Sequence, residues 1–100
     1  MLETIRDKDK NILACCEYYV VDDKGRFDES GQYIWVEQLE FSSMVNGNGI
    51  EHVQEFVRRI IKNVPWAIAG YFRREKYQGR VRLYSRRRWE KLLRSIKEED

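Results

Sequence analysis

Residues 33–64, YIWVEQLEFSSMVNGNGIEHVQEFVRRIIKNV, narrow the possible folds of this chain more than any other stretch. Tyr33 to Phe41 is dense in aromatic, β-branched and aliphatic side chains, which suit a pleated and largely buried strand. Asn46, Gly47, Asn48 and Gly49 follow together, and all four tolerate turn geometry or positive φ. From Ile50 the apolar residues fall at Ile50, Val53, Phe56/Val57 and Ile60/Ile61, the spacing of one helix face. A strand that turns tightly into a helix N-terminus aims backbone N–H groups and the positive end of the helix dipole outward. Such a place suits an anion.

The flanks extend the same reading. Residues 1–11 are polar and predict a frayed lead-in. Ile12 to Val21 (ILACCEYYVV) reads as a strand that ends in the turn Asp22-Asp23-Lys24-Gly25. Its short separation from Tyr33 predicts an antiparallel pair. The helix is expected to stop at 63–65, because Pro65 disfavours helix at the residue before it. WAIAGYF, 66–72, is expected to form a third strand, parallel to Tyr33–Phe41 through a right-handed crossover. The C-terminal quarter admits two arrangements. A short strand over 80–84 leads to a helix over 86–97, with Ser85 as N-cap and Trp89, Leu92, Leu93 and Ile96 on one face. Alternatively one helix runs from Gly79 onward. Alternation favours the first.

A chain of 100 residues with 42% hydrophobic and 13% aromatic content, and one proline, predicts a single α+β domain over 1–100. The sheet would be small and mixed: an antiparallel strand pair, a parallel strand after a crossover helix, and a basic C-terminal helix. The apolar runs are shorter than the roughly 20 residues of a spanning helix, and the charged start carries no apolar leader core. A cytoplasmic protein without membrane association is expected. Cys15 and Cys16 are adjacent, point to opposite faces of a strand, and read as small semi-buried hydrophobes. With His52 as the one histidine, no metal site is expected.

Charge is unevenly spread. Between Arg73 and Lys97 eleven basic side chains face only Glu75 and Glu90, although the whole chain is just +2. Arg73, Arg74, Arg80, Arg82, Arg86, Arg87 and Arg88, interleaved with Tyr77, Tyr84 and Trp89, would suit a nucleic-acid backbone with stacked bases. A solvated helix face is the plain reading of any single one of them.

The run V-E-Q-L-E-F, a short spacer, then N-G-N-G-I-E and a helix resembles the core of the GNAT superfamily of acetyl-CoA-dependent N-acyltransferases. In that family the loop has the form [QR]-x-x-G-x-[GA], and its amides hold the cofactor pyrophosphate. The resemblance covers roughly residues 33–72, with Ile12–Val21 as the preceding strand. It implies a small or truncated, phage-type member lacking the family's first strand and first two helices. Asn46, Gly47, Asn48, Gly49, Ile50 and Glu51 would form the cofactor loop, and Leu39, Glu40 and Phe41 the strand that binds the pantetheine arm and acetyl carbonyl. Glu37 would act as general base on an amine acceptor and Tyr84 as the acid for the departing thiolate. Two positions depart from the pattern: Asn46 is shorter than Gln or Arg, and Glu51 places a carboxylate where pyrophosphate would lie. The resemblance therefore implies an acetyl-CoA-dependent acyltransferase or an inactive member of that fold. The absent first half predicts an exposed sheet edge and dimerisation or edge protection. The different expectation, from charge alone, is a nucleic-acid-binding or protein-interaction module.

Overall fold

The computed structural model describes the backbone of residues 1–42, 49–74 and 80–99, with side chains over 1–42, 49–72 and 81–94. Its elements are β1 (Leu2–Arg6), β2 (Ile12–Val21), β3 (Tyr33–Phe41), α1 (Ile50–Asn63), β4 (Ala69–Arg74), β5 (Arg80–Ser85) and α2 (Arg86–Glu99). The strands form one mixed sheet in the order β1-β2-β3-β4-β5. Only β3 and β4 are parallel; every other neighbouring pair is antiparallel. The predicted α+β class holds, as do the β2/β3 pair and the parallel β4 after α1.

Period-two alternation puts Ala14, Cys16 and Tyr18 of β2 on one face, and all three are buried. Across from them Ile34 is also buried, and α1 adds Phe56 and Ile60. Full burial of one such large apolar side chain contributes about 1.5–3 kcal/mol. The α1 stripe is rotated relative to its apolar spacing. Gln54 is fully buried, because its Nε2 donates to the Leu92 carbonyl of α2 at 2.8 Å. Both helices therefore share one face of the sheet.

Two expectations are corrected, and one of two alternatives is excluded. Residues 1–11 are not a frayed lead-in, because 2–6 form β1. Its Ile5 packs on the core, while Arg59 of α1 reaches Glu3 at 3.3 Å and the Thr4 carbonyl at 2.8 Å. The Met1 ammonium also donates to the Tyr18 carbonyl. The third strand begins at Ala69, not at Trp66. Pro65 and Trp66 turn the chain, Ala67 N–H returns to the Val64 carbonyl, and the Trp66 indole donates to the Gly31 carbonyl. The single helix from Gly79 is excluded, since β5 pairs with β4 from Arg80 to Ser85. Ser85 Oγ then accepts from Arg88 N–H, as an N-cap does.

Candidate functional site

One residue of β3 reshapes its far half. Val36 lies opposite Tyr18 and Gln38 lies opposite Glu17, so Glu37 has no residue opposite it on β2. This is a β-bulge, and it reverses the alternation that follows. Ile34 and Val36 face the helices before it; Leu39 and Phe41, opposite Cys16 and Ala14, face them after it. Bulges bend the strand that carries them. The parallel ladder between β3 and β4 runs from Tyr33/Ala69 to Val36/Phe72 and ends there, at the bulge.

Around that point a cleft of about 730 Å³ lies between the sheet and both helices. Leu39 and Phe41 line one wall, Ile50 of α1 the end, and Tyr84, Arg88 and Trp89 the other wall. Ser42 N–H bonds to the Leu13 carbonyl on the β2 side. By antiparallel alternation the N–H groups of Leu39 and Phe41 point the other way, toward the cleft. Phe41 also meets the start of α1: a Cβ on Gly49 would stand 3.0 Å from its ring, and His52 stacks on it at 6.5 Å. Gly49 caps α1 in the left-handed region at φ 67°.

The predicted site residues distribute as follows. Glu37, Leu39, Glu40, Phe41, Ile50 and Tyr84 all line the one cleft. Glu37 holds its carboxylate against the Trp35 indole, whose Nε1 donates to Oε2 at 2.5 Å. Tyr84 stands on the helix side, opposite Gly70, with the Arg88 guanidinium 5.3 Å above its ring. Glu51 is exposed in the first turn of α1 and does not line the cleft. Asn46, Gly47 and Asn48 lie outside the described residues, as do the side chains of Arg73, Arg74 and Arg80. His52 is half-buried against Phe41.

The basic residues of α2 divide. Arg86 turns inward: its NH1 donates to the Pro65 carbonyl at 2.5 Å and the Ala67 carbonyl at 3.0 Å, and Glu90 stands 3.8 Å away. It fastens α2 to the turn before β4. Arg87 and Arg88 are exposed. Sequence reasoning did not assign the cleft walls Phe72 and Trp89, nor the bulge at Glu37. Two adjacent polar residues, Glu37 and Gln38, break the alternation of the strand and are the local sign of that bulge.

Cys16 is buried, and burial pushes its thiol up to about 12, so it stays protonated and packs as a hydrophobe. Among the described residues no group of three or more His, Cys, Asp or Glu side chains is placed to hold a metal ion. Nor, among them, is any helix long and apolar enough to cross a membrane. No family model, curated protein or solved structure matches the chain.

Proposed function

We propose that this chain is a small GNAT-like N-acyltransferase that uses acetyl-CoA, or a member of that fold without activity. One observation carries the reading. A bulged strand parts from its parallel neighbour at Val36/Phe72, and the opening lies beside the glycine-capped start of the intervening helix. An extended thioester arm laid along β3 would find the Leu39 and Phe41 amides on one side and apolar walls around it. The acyl end of such a ligand would lie in this cleft. The phosphate end would meet Gly49 and the first turn of α1, where the Glu51 carboxylate opposes it.

Acetyl-CoA would supply an acyl thioester open to attack by an amine. The Leu39 and Phe41 N–H groups would polarise its carbonyl. As the new C–N bond forms and the C–S bond breaks, Glu37 would take the proton of the attacking nitrogen. Tyr84 would give its proton to the departing thiolate. Glu37, held by Trp35, and Tyr84, on the helix side, flank the opening from its two faces. Amide spectra of the labelled protein, titrated with acetyl-CoA and separately with CoA, test this. Saturable shifts at Leu39, Phe41 and Gly49 are expected, and none at millimolar ligand would reject the cofactor site.

A second reading rests on the exposed cations Arg87, Arg88, Lys91 and Arg94 of α2, as a surface for nucleic acid. It predicts a steep salt dependence of oligonucleotide binding that shrinks in Arg88→Ala.

A further inference from the structure

The face of the sheet turned away from both helices carries a continuous cross-strand row. Tyr19 pairs with Trp35, Trp35 with Tyr71 and Tyr71 with Leu83, so four large side chains cross β2, β3, β4 and β5 in register. Tyr71 lies 6.1 Å from Trp35 and stacks on Tyr33 at 5.8 Å, and Phe27 meets Tyr19 edge-on at 5.1 Å. Leu83 is 54% exposed and Phe27 78%. No described helix covers this row. Two carboxylates border it: Glu17 accepts from the Tyr19 hydroxyl and Glu37 from the Trp35 indole. Neither has a cationic partner among the described residues.

Aromatic faces attract cations, and more strongly once water is removed. Carboxylates at the rim add charge-assisted hydrogen bonds. Strands lie about 4.8 Å apart, so a row over four strands is about 14 Å long, the reach of four or five extended residues. A small amine would fill only part of that length. A nucleic-acid strand, which also stacks on aromatics, would bring its phosphates against Glu17 and Glu37. We propose that the helix-free face is a docking surface for a basic peptide segment, whose lysine or arginine side chains lie over the Trp35–Tyr71 aromatics between Glu17 and Glu37. This surface requires no acyl donor and shares only Glu37 with the acyltransferase reading, so its variants are at Glu17 and Tyr71.

The test is a titration of the labelled protein with a decapeptide alternating lysine and serine, beside a glutamate–serine peptide and a ten-nucleotide single strand. Saturable shifts at Tyr19, the Trp35 indole and Tyr71 with the lysine peptide alone are expected. Raising salt should weaken that binding. Glu17→Gln, which keeps the side chain's shape, should weaken it several-fold, and Tyr71→Ala about tenfold. Equal response to the acidic peptide, or preferential binding of the oligonucleotide, would overturn the proposal. So would a sedimenting dimer that Leu83→Lys disperses, since a second copy would then occupy the face.

Discussion

A Cβ built on Gly70 would stand 2.7 Å from the Trp89 ring, so the indole of α2 rests against bare β4 backbone. The contact fixes where α2 crosses the sheet and thereby sets the wall of the cleft that holds Tyr84 and Arg88. Gly70→Ala should force the indole away and cost about 1–3 kcal/mol as overpacking does. The midpoint of urea unfolding measures this. An unchanged midpoint would mean that α2 shifts without cost and that its seat is not specified at Gly70.

Gly49 is bounded twice, by its left-handed backbone at φ 67° and by the Phe41 ring 3.0 Å from where a Cβ would stand. An L-residue in that conformation costs about 1–2 kcal/mol. Gly49→Ala should destabilise by at least this amount and change the ring signals of Phe41 and His52. Loss of stability with those two rings unmoved would show that strain acts without the contact.

Deletion of Glu37 tests the bulge. Without the extra residue Gln38 still falls opposite Glu17, and Leu39 and Phe41 keep the helix face in a strand that alternates without interruption. The deletion should therefore unfold cooperatively, with the amide signals of Leu39 and Phe41 moved by loss of the bend, whereas Glu37→Gln should leave those signals near their parent positions. Loss of cooperative unfolding in the deletion would mean that Leu39 and Phe41 had changed face and that the extra residue of β3 is not Glu37.

Arg86 and Arg87 are adjacent yet should behave oppositely. Hydrogen bonds from a charged group to carbonyls contribute about 1.5–3 kcal/mol, and Arg86 makes two of them, to Pro65 and Ala67. Arg86→Ala should lower the melting temperature by several degrees, and Arg87→Ala, at an exposed position, should leave it nearly unchanged. Equal effects would mean that the charge of α2, not the clamp, is what matters.

Tyr19 is held above the ordinary tyrosine value, first by its hydrogen bond to Glu17 and then by desolvation and the charges of Glu17 and Glu37. A raised value in the folded state contributes stability present below the unfolded value near 10 and lost as pH rises through the folded value. Ring signals of Tyr19 should therefore titrate above those of an unperturbed tyrosine, and Glu17→Gln should bring them down. At the acid end, Asp22 is lowered by its hydrogen bonds to the Arg26 and Lys24 amides and by the Arg26 side chain. The β2–β3 turn it organises should loosen as pH falls below the ordinary aspartate range.

Local chemistry determined much of this protein. The apolar run of Ile12–Val21, the aromatic and aliphatic density of Tyr33–Phe41, the three-and-four spacing after Ile50 and the hydroxyl of Ser85 each act within a few residues. Each produced the element expected of it. Tertiary contacts decided the rest. Residues 2–6 are too polar to specify a strand alone, yet Arg59, Asn63 and the β2 edge hold them as β1. Apolar Trp66 stays out of the ladder because Pro65 must turn the chain between α1 and β4. Gln54 is buried because α2 arrives from 38 residues away to offer the Leu92 carbonyl. The cleft divides in the same way. Leu39, Phe41, Ile50 and Tyr84 were site candidates through the family resemblance, not through their place in a strand or helix. Their meeting in one place depends on the bulge at Glu37 and the end of the β3/β4 ladder, which arise only when three strands pair. Spacing along a chain fixes which face a side chain takes, but register between distant strands fixes which faces meet.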